Sequence, residues 1–266
     1  MKNIRHLLML GLILISLSAC QSQAIEPVSP IPAPQTPAVS PTNDNRLSFS
    51  GSSFGLGSVT SKQTGQSPDY EITAQTPALQ DSSLPHAGDF GRAVTAVIQA
   101  EVDAFKKNLL DLAPQPDSNG SYFDLKYELI FKGDTFYSLQ FKISAYAQGA
   151  AHPSNRIVSF NYDLARGQVI SLDQLFSPGS DYLQIISDYC KSELAKREIA
   201  FDSQQQGADA LPENYQNWNI SDNGLVIVFN EYQVAAYAAG PQIVVIPYSV
   251  LKPVINPQNV LAEFNQ

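Results

Sequence analysis

Cysteine is nearly absent from this chain of 266 residues: there are two, Cys20 and Cys190. A pair with separate roles leaves no internal disulfide framework and no thiolate metal site. Histidine is almost as scarce, at His6, His86 and His152, and no His-x-x-x-His spacing links them. No metal and no cofactor are therefore expected. Tryptophan occurs once, at Trp218. Positive charge is short, with 16 Lys and Arg against 25 Asp and Glu and a net charge of −9. That balance excludes nucleic-acid binding through phosphate neutralisation and favours encounter with a basic partner. The main apolar run, residues 7–17, is shorter than the about 20 residues that span a bilayer. Neither a phosphate-cradling Gly-rich loop, nor a dinucleotide fingerprint, nor a nucleophile elbow set between strand and helix is visible. Carboxylates are plentiful, but an acidic chain supplies pairs without specificity. No enzymatic activity is expected.

What is present begins with Cys20. Lys2 and Arg5 open the chain, an apolar stretch follows, and Leu17-Ser18-Ala19-Cys20 closes it. That order is a secretory signal whose cleavage leaves a cysteine at the new N-terminus. Residues 1–19 are read as a lipoprotein signal peptide and Cys20 as the lipidated residue. Each buried CH₂ of an acyl chain such as palmitate contributes roughly 0.8 kcal/mol, so several chains anchor the protein on a membrane. Gln21, where an Asp would signal inner-membrane retention, points to the outer membrane if the cell has one. Loss of Lys2 and Arg5 leaves 14 positive against 25 negative side chains, or −11.

Residues 20–67 read as a tether. Pro27, Pro30, Pro32, Pro34, Pro37 and Pro41 favour polyproline II, and residues 48–66, rich in Gly and Ser, read as flexible. Two parts are expected to fold: a small strand-plus-helix subdomain over 68–117 and a larger domain over 118–266. Together they are long enough for a proper core.

Tyr70-Glu71-Ile72-Thr73-Ala74 predicts a short strand ending before Thr76-Pro77. From Asp89, Phe90, Val94, Ile98, Val102, Phe105, Leu109 and Leu112 recur at helical spacing until Pro114 and Pro116. Phe123, Leu125, Tyr127, Leu129 and Phe131 alternate with polar residues, as do Tyr137, Leu139, Phe141 and Ile143. Lys132-Gly133-Asp134 turns between them, giving a hairpin. Val158, Phe160, Tyr162 and Leu164 continue a meander. Ser177 and Pro178 read as the cap and first residue of a second helix, on which Cys190, beside Ile186 and Leu194, reads as a buried, inert thiol. Residues 203–213 read as a loop. Residues 225–229 form an uninterrupted apolar run suited to a strand covered on both faces, and residues 243–246 a last strand. The fold class is α+β: a mainly antiparallel sheet, a meander, with two packed helices.

Two loops stand out. Gly149-Ala150-Ala151-His152-Pro153 lies between two strands. Asn230-Glu231-Tyr232-Gln233-Val234-Ala235-Ala236-Tyr237-Ala238-Ala239-Gly240-Pro241 is too long for a simple hairpin turn. Its tyrosines among small residues have the composition of a protein-recognition loop. Tyr232, Tyr237, Gly240, Pro241 and His152 are the candidate contact residues.

These two segments, with Gly167-Gln168-Val169-Ile170-Ser171-Leu172-Asp173-Gln174-Leu175-Phe176 and Trp218-Asn219-Ile220-Ser221-Asp222-Asn223-Gly224-Leu225, occur in one order along the chain. The series resembles the ectodomain family of the RsiV-type anti-sigma factor, also found in front of some peptidoglycan deacetylases. The match runs over residues 70–251, with residues 70–110 resembling a small preceding subdomain. The resemblance implies an extracytoplasmic α+β domain and, in the anti-sigma members, direct binding of lysozyme, a basic protein. Without an anti-sigma segment or a deacetylase domain, what is expected is a binding module on a tether.

The leading expectation is a lipid-anchored envelope protein that binds or inhibits lysozyme or another wall-active enzyme. A second is a non-catalytic peptidoglycan- or glycan-binding module. A third is a hydrolase using His152 with a nearby carboxylate such as Glu231. Oligomeric state is not legible.

Overall fold

In the computed structural model, residues 55–111, 120–199 and 206–261 are described; the expected signal peptide, Cys20, the proline-rich stretch, Leu112, Pro114 and Pro116 lie outside them. In chain order the elements are β1 (Leu56–Gln66), β2 (Asp69–Leu79), α1 (Ala87–Leu110), β3 (Ser121–Lys132), β4 (Phe136–Tyr146), β5 (Ser154–Asp163), β6 (Gln168–Val169), α2 (Tyr182–Ala195), β7 (Trp218–Ser221), β8 (Gly224–Phe229), β9 (Gln242–Ile246) and α3 (Tyr248–Leu251). Short 3₁₀ turns at Leu172–Leu175, Gln206–Ala208, Pro212–Tyr215 and Tyr237–Ala239 fill the connections.

The fold is α+β, and the expected alternation is there: β3, β4, β5 and β6 pair antiparallel in succession. The sheet as a whole is mixed, however, which corrects the antiparallel expectation. Its order is β1-β2-β3-β4-β5-β6, and β2 runs parallel to β3 over Tyr70–Ala74. A parallel neighbour needs a crossover of a dozen or more residues, and α1 supplies it. The expected divide between residues 117 and 118 thus falls inside one sheet, and residues 49–266 form a single compact unit.

Two further corrections concern the first hairpin. The stretch expected to be flexible up to Gln66 forms β1 from Leu56 onward, paired with β2 along its whole length. Its Ser, Thr and Gln side chains are exposed on both faces, so backbone pairing, not burial, sets its register. β2 does not stop before Thr76-Pro77 but continues to Leu79. Beyond Ala74 it has no β3 partner, and a strand with one free side tolerates proline.

One face of the six-stranded sheet carries α1. The predicted stripe Phe90, Val94, Ile98, Val102, Phe105 and Leu109 is buried against Phe123, Leu125, Leu139, Phe141 and Phe160. Arg156 on β5 reaches Glu101 of α1 on the same side. The opposite face carries the sheet β7-β8-β9. Every residue of β8 is buried. Val226 and Val228 pack on Ile157, while Leu225, Ile227 and Phe229 join Ile186, Cys190 and Leu194 of α2. The result is four layers: α1, the six-stranded sheet, the three-stranded sheet and α2.

The start of α2 also differs from expectation. Ser177-Pro178-Gly179-Ser180 is a turn, closed by the Ser180 N–H donating to Ser177 O at 3.1 Å. Gly179 has φ +77°, which no helix accommodates, so the helix begins at Tyr182. Part of the expected 203–213 loop forms the turns Gln206–Ala208 and Pro212–Tyr215. Cys190 is fully buried, and burial pushes its thiol pKa up. Native protein is expected to leave Cys190 unmodified by a thiol reagent on a timescale at which denatured protein reacts completely. Equal rates in a thiol-modification assay would contradict that burial.

Candidate functional site

The two suspected loops meet. Residues 147–153 turn the chain from β4 to β5, and residues 230–241 join β8 to β9. The longer loop is fixed from within: Val234 is fully buried in the core, and the Gln233 side-chain amide donates to Gly207 O (3.0 Å) and Asn214 O (2.9 Å). It is also fixed at its base, where side chains stand in for a strand along the open side of β5. Asn230 Oδ1 accepts from Ile157 N–H (2.7 Å) and its Nδ2 donates to Ile157 O (3.0 Å). Glu231 accepts from the backbone N–H (3.0 Å) and side-chain amide (3.2 Å) of Asn155. Asn217 Oδ1 accepts from Ser159 N–H at 3.1 Å. Backbone groups that an edge strand would leave open are thereby satisfied.

On this base the aromatic rings assemble. His152 stacks on Tyr237 with centroids 3.7 Å apart and 28° between planes. Tyr232 lies 5.7 Å from Tyr237. Pro153 O accepts from Tyr237 O–H (2.8 Å) and faces His152 Nδ1 (2.9 Å). A carbonyl can only accept, so Nδ1 carries a proton. In the neutral ring Nε2 is then the acceptor, and Tyr232 O–H donates to it at 3.1 Å. Tyr237's phenol pKa is raised by desolvation, then by Glu231, Tyr232 and Tyr122.

Tyr232 combines two uncommon properties. Its φ is +66°, a left-handed conformation rare for a bulky residue that costs on the order of 1–3 kcal/mol. The residue is nevertheless 63% exposed, so that cost is not offset by burial. The turn that holds it is closed by Gln233 N–H donating to Asn230 O at 3.1 Å. Such strain is a mark of functional positions.

Of the five predicted contact residues, the structure brings together His152, Tyr232 and Tyr237. Gly240 (φ +64°) and Pro241 shape the loop's return to β9; Gly240 N–H donates to Tyr237 O at 2.9 Å. Two residues were missed. Tyr122 and Tyr146 are register partners on β3 and β4, stack with centroids 6.1 Å apart, and extend the aromatic surface toward Tyr237. Their signal lay in the strand alternation, which puts Tyr122 on the polar face where it is 37% exposed.

His152 and Glu231 are engaged with other partners. Both Glu231 oxygens are engaged by Asn155, and His152 faces Pro153 O and Tyr232. A Gly-x-Ser-x-Gly spacing occurs at residues 51–55, but it leads into β1, not into the helix an elbow requires. Among the described residues no group of three His, Cys, Asp or Glu side chains could hold a metal ion. Nor is any helix among them long and apolar enough to cross a membrane.

The family model of DUF3298, a protein family of unknown function, matches residues 173–249. Over those residues the chain is similar to the DUF3298 domain. Three of the four ordered motifs fall wholly or partly in that range. The peptidoglycan-N-acetylmuramic acid deacetylase PdaC of Bacillus subtilis is 27% identical over 171 residues, 63% of this chain and 36% of the relative. A Mycobacterium tuberculosis esterase is 35% identical over 106 residues, covering 40% and 46%. The immunogenic protein MPT64 of the same species is 30% identical over 103 residues, covering 39% and 45%. The chain thus spans between a third and a half of these relatives. A DUF3298 family member from Bacteroides fragilis superposes with a TM-score of 0.58 at 16% identity, covering 78% of this chain and 96% of that one. One from Pseudomonas aeruginosa gives 0.52 at 16%, covering 76% and 94%. Both share the fold. The resemblance to a family of unknown function found beside peptidoglycan deacetylases therefore holds.

Proposed function

We propose that this protein is a lipid-anchored envelope protein whose DUF3298-like domain binds a basic protein ligand, lysozyme or another wall-active enzyme, through the His152–Tyr232–Tyr237 surface. The observation that carries the reading is Tyr232: a strained, exposed tyrosine held by a histidine that is itself stacked on a second tyrosine. Rings fixed before the partner arrives lose little entropy on binding, and tyrosine is a characteristic residue of interface hot spots. The acidic chain and the neighbouring Glu231 favour a cationic partner. Cys20 supplies the anchor and the signal peptide the extracytoplasmic location. The domain acts by occupying its ligand and catalyses nothing.

Replacing Tyr237 by Ala removes the ring on which His152 stacks and the donor to Pro153 O. Binding of lysozyme is expected to weaken at least tenfold, with the fold intact by circular dichroism. An unchanged dissociation constant would remove this surface from the proposal. Accumulation of the uncleaved precursor under globomycin, and loss of acyl-chain labelling on Cys20→Ala, test the anchor separately.

A further inference from the structure

A second binding site lies away from the aromatic surface, on the flank where β5, β6 and α2 meet. Two hollows of about 560 Å³ each open there, both within the ~300–1,000 Å³ range of small-molecule sites. Three residues, Ile170, Asp173 and Tyr182, line both hollows, so the two read as one cleft with Tyr182 at its waist. Tyr182 is half-buried and stacks on Phe176 with centroids 4.5 Å apart and planes within 9°. That backing fixes the ring as a platform.

Polar and apolar groups share the lining of the first hollow about equally, the second is mainly apolar, and the cleft carries almost no net charge. Asp163, whose side chain is only 2% exposed, accepts from the Ala165 and Arg166 N–H groups (2.8 and 3.1 Å) and pairs with Arg166 Nη1 at 2.6 Å. A buried carboxylate thus holds the guanidinium at the first hollow and neutralises it. Gln168 stands beside it and Gln216 is exposed at the second hollow, where Asn161 and Ser159 are already bonded to Trp218 O, Ser138 and Asn219. An anion would meet Asp173 and an already paired arginine. An apolar ligand would cover the exposed Gln168 and Gln216 amides without offering them partners. A ligand that is flat and apolar on one side, and rich in neutral donors and acceptors around its edge, meets both demands.

We infer that this cleft binds a neutral oligosaccharide, with a sugar ring stacked on Tyr182 and its hydroxyls received by Asp173, Gln168 and Gln216. Two hollows joined at one aromatic fit a linear chain of sugars better than a single unit. The site is separate from the protein-binding surface, and the two proposals fail independently.

The test is titration of the full chain with N-acetylglucosamine tetramer and with cellotetraose, followed by calorimetry and saturation-transfer NMR. Saturable binding of at least one is expected. Tyr182→Ala should weaken it at least tenfold and Asp173→Ala at least threefold, while Tyr237→Ala leaves it unchanged. Should Tyr182→Ala fail to fold, Asp173→Ala and the exposed Gln168→Ala carry the same comparison. No saturation at millimolar sugar would overturn the inference, as would binding indifferent to all three substitutions or binding of an anionic saccharide alone.

Discussion

Replacing Asn219 by Leu is expected to lower the unfolding free energy by about 3–4 kcal/mol. Asn219 sits on β7 at the interface between the two sheets and is completely buried. Its Nδ2 donates to Ser138 Oγ (2.9 Å) and Leu139 O (2.8 Å), and its Oδ1 accepts from Gln140 Nε2 (2.9 Å) and Ser159 Oγ (2.9 Å). All four hydrogen-bonding positions of one amide are used. Leucine matches the volume but offers none of them. Ser138 Oγ still donates to Asn161 Oδ1 and accepts from Ile220 N–H, and the Ser159 hydroxyl can rotate to another acceptor, whereas Leu139 O and Gln140 Nε2 each lose a buried partner at roughly 1–3 kcal/mol. Urea unfolding should show the loss as a lower midpoint at unchanged slope. Adding Gln140→Leu should restore part of it, because removing both partners is milder than removing one. A loss below about 1 kcal/mol for Asn219→Leu would mean that the sheets are not held by this network.

Gly224→Ala is expected to be comparably damaging, at about 3 kcal/mol or more. Gly224 opens β8 with φ +152°, a conformation open to glycine and strained for alanine. A Cβ there would lie 2.2 Å from Ile246 O and 2.8 Å from Ile246 C. Both are backbone atoms of β9, so the strand itself would have to move. The control is Gly91→Ala in α1, where a Cβ meets nothing within 4 Å. That change is expected to stabilise by about 0.5–1 kcal/mol through helix propensity and a less flexible unfolded chain. If the two substitutions had similar effects in thermal unfolding, the tight contact between β8 and β9 would be disproved.

The elements that the sequence announced are those whose burial follows a single period. α1 repeats its apolar residues every three or four positions, and β3 and β4 alternate, because each packs one face against one neighbour. β8 was legible for the opposite reason, having no polar face at all. β1 was not legible, because Thr60, Ser61, Lys62, Gln63 and Thr64 bury nothing and are held by backbone pairing that leaves no mark on composition. The parallel pairing of β2 with β3 is likewise a property of the crossover, not of either strand's residues. At the candidate site, Tyr232, Tyr237 and His152 were visible as residue types in two loops. That the loops touch was not, since it depends on Asn230 and Glu231 docking on β5 from more than 70 positions away. Tyr122 and Tyr146 read as ordinary alternation until the fold set them beside that loop.

The most direct test of the account is calorimetric titration of lysozyme into residues 49–266, a unit that keeps β1 in the sheet, at two salt concentrations. Saturable binding near one to one is expected, weaker at the higher salt because an acidic surface meets a basic one, and lost when Tyr232 and Tyr237 are both replaced by Ala. Absence of heat and of complex with the domain shown to be folded, or binding that the double replacement leaves intact, would contradict it.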